Sequence, residues 1–254
     1  MEIPLPEEPL ISIILPIKNS AETLFPCLQS LLFQNYHHIE VIAVDDCSRD
    51  NSLQILREFQ KTDSRVRIIK NVKTYGRAIS INRALKKARG KLIVFMEPTD
   101  MITAQKLSKQ VAELRKDKHV VAANSQCMTM NHLGKRVGKS HYPLLASEAM
   151  HLPYRQNVLF SGIMINRYRI PKDLLDCEAD EPALFAAQLI SRLLTYGEIV
   201  TIPEYLHTHM AQHLTGHLMH KFTKSIRVWL EAKVNHQQAP SLTAVFANVM
   251  SPAL

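Results

Sequence analysis

Ile11-Ser-Ile-Ile-Leu-Pro-Ile-Lys-Asn19, Ile39-Glu-Val-Ile-Ala-Val-Asp-Asp46 and Lys91-Leu-Ile-Val-Phe-Met-Glu-Pro-Thr-Asp100 decide the fold. Each begins as a short apolar run and ends in a polar cluster. Continuous apolar runs of this length read as strands buried on both faces, the signature of a parallel sheet covered by helices on either side. In an open sheet of that kind the ligand crevice lies outside the carboxyl ends of the strands. Three polar clusters at three strand ends therefore predict one shared site.

Outward from these strands the pattern alternates. Apolar Leu24, Leu28, Leu31 and Leu32 stand at helical spacing after Ser20, which is placed to cap, and Pro26 falls in the second turn. Asp50 is placed to cap a helix carrying Leu53, Ile55, Leu56 and Phe59. Val66–Ile69 reads as a third strand, Ile79–Ala88 as a helix stopped by Gly90, and Thr103–Lys116 as a helix behind the fourth strand. Four strand–helix alternations predict an α/β, Rossmann-type, mostly parallel sheet with helices on both faces. Beyond Lys118 the pattern loosens. A hairpin or extended excursion is expected at Val120–Gly138, a strand near Phe160–Ile165, a helix from Pro182 to about Tyr196, and a last short strand at Glu198–Ile202. From Gln212 onward an amphipathic helix carries Leu218, Phe222, Ile226 and Leu230.

The order of the motifs resembles the inverting family 2 glycosyltransferases, whose sugar-nucleotide domain opens in this way. The resemblance covers the first half of the chain most closely. It implies a GT-A fold, the nucleotide-diphospho-sugar transferase architecture, divided here into an extension at 1–10, a transferase-like domain at 11–210 and a helix and tail at 211–254. Within the domain, 11–117 would bind nucleotide and 118–210 would shape the acceptor pocket. It implies transfer of a sugar, with inversion, from a nucleoside-diphosphate donor of the UDP-sugar kind to a hydroxyl of a glycan, lipid or small molecule.

Residue by residue, the resemblance makes Asp46 the acceptor of a hydrogen bond from the nucleotide base. Pro16 and Lys18 fall in the family's Pro-x-Tyr-Asn turn, with lysine replacing the aromatic residue. Glu22 stands at the spacing of a second base or ribose contact. Gly76 opens the next helix as in the family, but the expected arginine is Ile81, leaving Arg77 or Lys73 to meet a phosphate. The family's Asp-x-Asp aligns with Glu97-Pro98-Thr99, so Glu97 keeps the first carboxylate. A neutral hydroxyl, Thr99, replaces the acid that binds a divalent metal, Mn or Mg. Asp100, one residue on, and His209 or His213 are the remaining metal candidates. His209, His213 and His217 would share one face of a helix. The catalytic base is expected at Asp180 or Glu181, just before Pro182; in strict register those positions hold Phe185 and Ala186. Each acid also has a plainer reading, Asp180 as a helix cap and Glu181 as a first-turn acid.

The departures at Ile81, Thr99 and the displaced acidic pair support an alternative: a catalytically degenerate nucleotide-sugar-binding or scaffold protein of the same fold. A dinucleotide-dependent oxidoreductase is disfavoured because Pro16-Ile-Lys-Asn19 replaces a glycine-rich turn. The net charge of +8 suits anionic ligands, yet no basic block with interleaved aromatics marks a nucleic-acid binder. Four scattered cysteines without CxxC pairing and an acidic, proline-rich start predict a reduced, cytoplasmic protein. The basic residues Lys221, Lys224, Arg227 and Lys233 suit peripheral contact with the cytoplasmic membrane face, and a lipid-linked or glycan acceptor would be the partner there.

Overall fold

The computed structural model describes residues 5–131, 133–145, 161–177 and 182–210. Their strands are β1 (Ile11–Ile17), β2 (Ile39–Asp45), β3 (Val66–Lys70), β4 (Leu92–Phe95), β5 (Asp100–Ile102), β6 (Val120–Met130), β7 (Arg136–Lys139), β8 (Met164–Asn166) and β9 (Glu198–Met210). The helices are α1 (Ala21–Leu32), α2 (Ser52–Thr62), α3 (Arg77–Lys87), α4 (Lys106–Lys116) and α5 (Pro182–Leu194).

One sheet runs in the order β3-β2-β1-β4-β8-β6-β9-β5, with β7 paired to β6. The pairs among β1–β4 are all parallel, as the alternating pattern predicts. The far half is mixed: β8 is antiparallel to both β4 and β6, β9 runs parallel to β6, and β5 is antiparallel to β9. Every residue of β1 is buried, because the sheet has a core on each side. Ile11, Ile13, Leu15 and Ile17 pack with Leu24 and Leu28 of α1 and with Leu107 and Leu114 of α4. Ile14 faces the opposite core with Ile81 and Leu85 of α3 and Phe185 and Leu189 of α5. The period-2 alternation of strand side chains thus sorts a single apolar run between two layers.

Several local expectations change. Ser20 is the N-cap of α1 by position, but its hydroxyl donates back to the Lys18 carbonyl, and Asp50 Oδ2 accepts the Ala21 N–H instead. Asp50 is not the N-cap of α2, which is Asn51; its Oδ1 accepts the Ser52 N–H, so one carboxylate ties two helix starts together. Gly90 serves close approach rather than a left-handed cap, since a Cβ there would lie 2.5 Å from the Leu10 carbonyl oxygen. α3 starts at Arg77 and α4 at Lys106, while β9 continues from Glu198 to Met210 rather than ending at Ile202. That extension is possible because Asp100–Ile102 leaves the loop after β4 and pairs with His207–His209. The amphipathic stretch after Gln212 lies outside the described residues.

Candidate functional site

The carboxyl ends of β1, β2 and β4 converge as expected. Asp46 follows β2 directly, its N–H donating to the Ile17 carbonyl at the end of β1. Residues in the left-handed region stand in both loops, Asn19 (φ 48°) after β1 and Cys47 (φ 59°) after β2. Asn19 is stabilised there: its N–H donates to Ser48 Oγ at 3.0 Å and its Oδ1 accepts the Arg49 N–H at 2.8 Å.

Asp46 is nearly closed off from solvent. Its Oδ1 accepts the Tyr75 N–H at 2.8 Å and the Asn71 amide at 2.7 Å, and its Oδ2 accepts the Gly76 N–H at 3.0 Å. Burial alone would raise its carboxyl; these three bonds, with Lys18 3.9 Å away, hold it below the usual range. A carboxylate is needed because two oxygens must both accept. Asp46 therefore builds the 74–76 turn, in which Gly76 adopts φ 94°. Lys18 braces the same turn, donating to Thr74 Oγ1 at 2.6 Å. Pro16 lies within β1, paired with Val44, and Glu22 is exposed in the first turn of α1.

Ile81, which stands where the resemblance places an arginine, is fully buried in the core. Two other arginines of α3 face polar partners. Arg83 hydrogen-bonds Asn71 Oδ1 and lies over the Tyr75 ring at 4.7 Å. Arg77 forms an ion pair with Glu97, linking the start of α3 to the end of β4. Burial raises the Glu97 carboxyl, and Arg77 opposes that without cancelling it.

Asp100 is the unexpected centre. Its carboxylate is 1% exposed. Oδ1 lies 2.7 Å from His209 Nδ1 and accepts the Thr99 hydroxyl at 3.3 Å. Oδ2 lies 3.0 Å from His207 Nε2, at ion-pair distance but without hydrogen-bond alignment. Burial acts to raise Asp100, but His207 and His209 together hold it far below the usual carboxylate range. The hydrogen bond to Asp100 raises His209, whereas burial lowers His207. His207 and His209 meet one carboxylate because alternate residues of a strand share a face. His209 thus stands on β9, not on a helix with His213 and His217. The period-2 pair His207-Thr208-His209 was the available signal for His207, and a helical period concealed it.

Behind this group lies Lys106, fully buried, its ammonium donating to Ser125 Oγ at 2.8 Å and lying 3.4 Å from Asn124 Oδ1. Desolvation pushes it down to about 7, against the upward pull of Cys127 and Asp100. Gly162 (φ 77°) makes room, since a Cβ there would lie 2.5 Å from His207 Nδ1 and 3.0 Å from Lys106 Cε. A lysine depressed on folding binds more protons when unfolded, so its contribution makes stability rise with pH between about 7 and its ordinary value. Lys106→Met is expected to flatten the stability profile over that window, by up to roughly 1.4 kcal/mol per pH unit. Urea titrations of both proteins at pH 7 and 9 check this; parallel profiles would refute it.

The residues present do not fit a divalent ion in the family's manner. Thr99 offers a neutral hydroxyl, the Glu97 carboxylate is paired with Arg77, and both oxygens of Asp100 face histidines in a closed environment. Hard cations need several open oxygen ligands. No group of three or more His, Cys, Asp or Glu suited to a metal occurs among the described residues. Asp180, Glu181 and His213 lie outside the described residues.

The model of glycosyl transferase family 2 matches residues 12–168, more than half of the sequence. The chain belongs to that family. It is 35% identical over 104 residues to a putative teichuronic acid biosynthesis glycosyltransferase, TuaG, of Bacillus subtilis, covering 41% of each chain. It is 36% identical over 109 residues to the Escherichia coli UDP-Glc:alpha-D-GlcNAc-diphosphoundecaprenol beta-1,3-glucosyltransferase WfaP, covering 43% of each. These matches span less than half of either relative. Among solved structures, S. aureus TarS (residues 1–349) in complex with UDP-GlcNAc has a TM-score of 0.60 at 20% identity, covering 94% of this chain and 70% of that one. The mannosyltransferase PcManGT of Pyrobaculum calidifontis, in complex with GDP-Man and Mn2+, gives 0.59 at 17% identity, covering 98% and 70%. The fold is therefore GT-A, as the motif order implies. No helix among the described residues is long and apolar enough to cross a membrane.

Proposed function

We propose that this chain transfers one sugar, with inversion, from a UDP-sugar to a hydroxyl of a lipid-linked or glycan acceptor. The observation that carries the reading is the polar cluster at the ends of β1, β2 and β4, where Asp46 shapes the 74–76 turn and Arg77 pairs with Glu97. The UDP-GlcNAc complex of TarS and the UDP-Glc donor in the name of WfaP support a uridine nucleotide, and the diphosphoundecaprenol acceptor of WfaP supports a lipid-linked one. Such an acceptor would bring the protein to the cytoplasmic membrane face. Pro16, Lys18, Glu22, Asp46, Gly76, Arg77 and Glu97 form the nucleotide side of the site in this reading, within the 11–117 half of the 11–210 domain.

In the reaction, an acceptor oxygen attacks the anomeric carbon while its proton passes to a carboxylate base. The bond from that carbon to the diphosphate breaks, and UDP leaves. Asp180 or Glu181 supplies the base. A proton taken only as the sugar moves affects turnover and not nucleotide affinity. Replacing both acids is expected to lower turnover roughly a hundredfold or more while calorimetry shows UDP binding unchanged; unaltered turnover would place the base elsewhere.

Thr99 and Ile81 favour a second reading, a binding protein that kept the fold and lost the chemistry. Calorimetric titration with UDP and other nucleotides, followed by donor hydrolysis without acceptor, separates the two. Binding with slow UDP release supports the transferase; binding with no release under any acceptor supports the second reading. If no nucleoside diphosphate binds at millimolar concentration, both are lost.

A further inference from the structure

We propose that Arg77, assisted by His209, takes the part of a divalent metal at the donor diphosphate, so that nucleotide binding here is metal-independent. This deepens the proposed function and rests on it.

A metal that bridges a diphosphate must itself be held by carboxylates with free lone pairs. In this chain each carboxylate near the end of β4 is already matched to a basic side chain. Glu97 pairs with Arg77, the first residue of α3. Asp100 is enclosed by His207 and His209, its oxygens 3.0 and 2.7 Å from them. Between these two acids, Thr99 contributes only a hydroxyl, and that hydroxyl is turned toward Asp100. A cation inserted here would have to displace an arginine and separate a buried carboxylate from two imidazoles. Separating Asp100 from the imidazoles carries the cost of breaking a buried charge pair, whereas the Arg77–Glu97 pair is part-exposed on both sides.

The same geometry supplies the charge a diphosphate needs. The Arg77 guanidinium lies at the start of α3, where the helix dipole also favours an anion. A guanidinium binds phosphate oxygens in the forked manner it uses for carboxylates, so a diphosphate can exchange for Glu97 on Arg77. His209 projects from β9 on the Glu97 side, its side chain 45% exposed while its Nδ1 is held by Asp100 at 2.7 Å. That hydrogen bond engages Nδ1 and leaves Nε2 as the ring nitrogen not held by Asp100. Ile81, buried in the core, removes the arginine the resemblance expects, and Arg77 stands four residues earlier on the same helix, one turn away.

The test uses UDP and UMP, which differ by the phosphate that Arg77 would hold. Each is titrated calorimetrically into the protein in EDTA and again in manganese. The expected result is UDP at least tenfold tighter than UMP in EDTA, with manganese changing the UDP affinity less than threefold. Arg77→Met should abolish the preference for UDP, and circular dichroism with a thermal melt reports that the variant is folded. Because Glu97 loses its partner in that variant, the pair Arg77→Met with Glu97→Gln is measured beside it and should behave alike. His209→Gln should lower the preference by a smaller factor. A tenfold or greater gain in UDP affinity on adding manganese would overturn the inference while leaving the proposed function intact. So would an unchanged UDP preference in both Arg77 variants. Failure of both nucleotides to bind under either condition would overturn the inference together with the function it rests on.

Discussion

Asp100→Asn is expected to destabilise the fold by roughly 3 kcal/mol near pH 5.5, at the low end for breaking a buried charge pair. The substitution keeps the side-chain shape but removes the charge that His207 and His209 share. The low end applies because His209, raised by its hydrogen bond to Asp100, can release its proton when that counter-charge is gone. The signs of the two shifts define the pH window. Asp100 is held below its ordinary value, so its stabilisation is present above about pH 4 and lost as pH falls through the folded value. His209 is raised above its ordinary value, so its share is complete below about pH 6.5 and lost as pH rises through the folded value. The difference between the proteins should therefore be greatest between these limits and shrink by pH 8.5. Urea denaturation at pH 5.5 and 8.5 measures it. A loss equal at both values would mean that the cluster acts through hydrogen bonding to the Asp100 oxygens and not through titrating charge.

Asp46→Ala should weaken UDP binding by about 1.5–3 kcal/mol, the range for a hydrogen bond to a charged group, which is tenfold to more than a hundredfold in affinity. Stability should fall too, because the Tyr75 and Gly76 N–H groups and the Asn71 amide lose their acceptor together. Asp46→Asn is the sharper variant. Its amide presents one acceptor and one donor, so one of the two backbone N–H groups must face another donor. It is expected to bind UDP nearly as poorly as the alanine variant. If the asparagine variant binds like the parent protein, the turn does not depend on the charged group. If alanine leaves affinity unaltered while lowering stability, Asp46 is structural alone.

Particular elements show where sequence was sufficient. The apolar runs at Ile11–Ile17, Ile39–Asp45 and Leu92–Phe95 have no polar face, so only a strand covered on both sides can hold them, and helices must fall between. The helical spacing of Leu24, Leu28 and Leu31 supplies one such cover. The placement of Asp46 and Glu97 at strand ends follows directly, as does their convergence. Local pattern was enough for this because periodicity and burial act over a few residues.

Tertiary structure decided the rest, through pairings between residues far apart in sequence. Nothing local to Glu40, the second residue of an apolar strand, announces that Arg67 will pair with it while the Ser12 hydroxyl and the Arg89 N–H donate to it. Nothing local to His207 and His209 announces Asp100, about a hundred residues earlier. Their meeting depends on Asp100–Ile102 joining β9 as an antiparallel edge, a register set by the whole sheet. A histidine run of ambiguous period is read correctly only once that strand exists, since spacing by four serves a helix and spacing by two a strand. The sequence by itself determined a doubly covered α/β sheet and the three strand ends that make its crevice, because burial dictates those locally. Which charges are open to a ligand, and which are spent on one another, was decided only when the folded sheet brought them within reach.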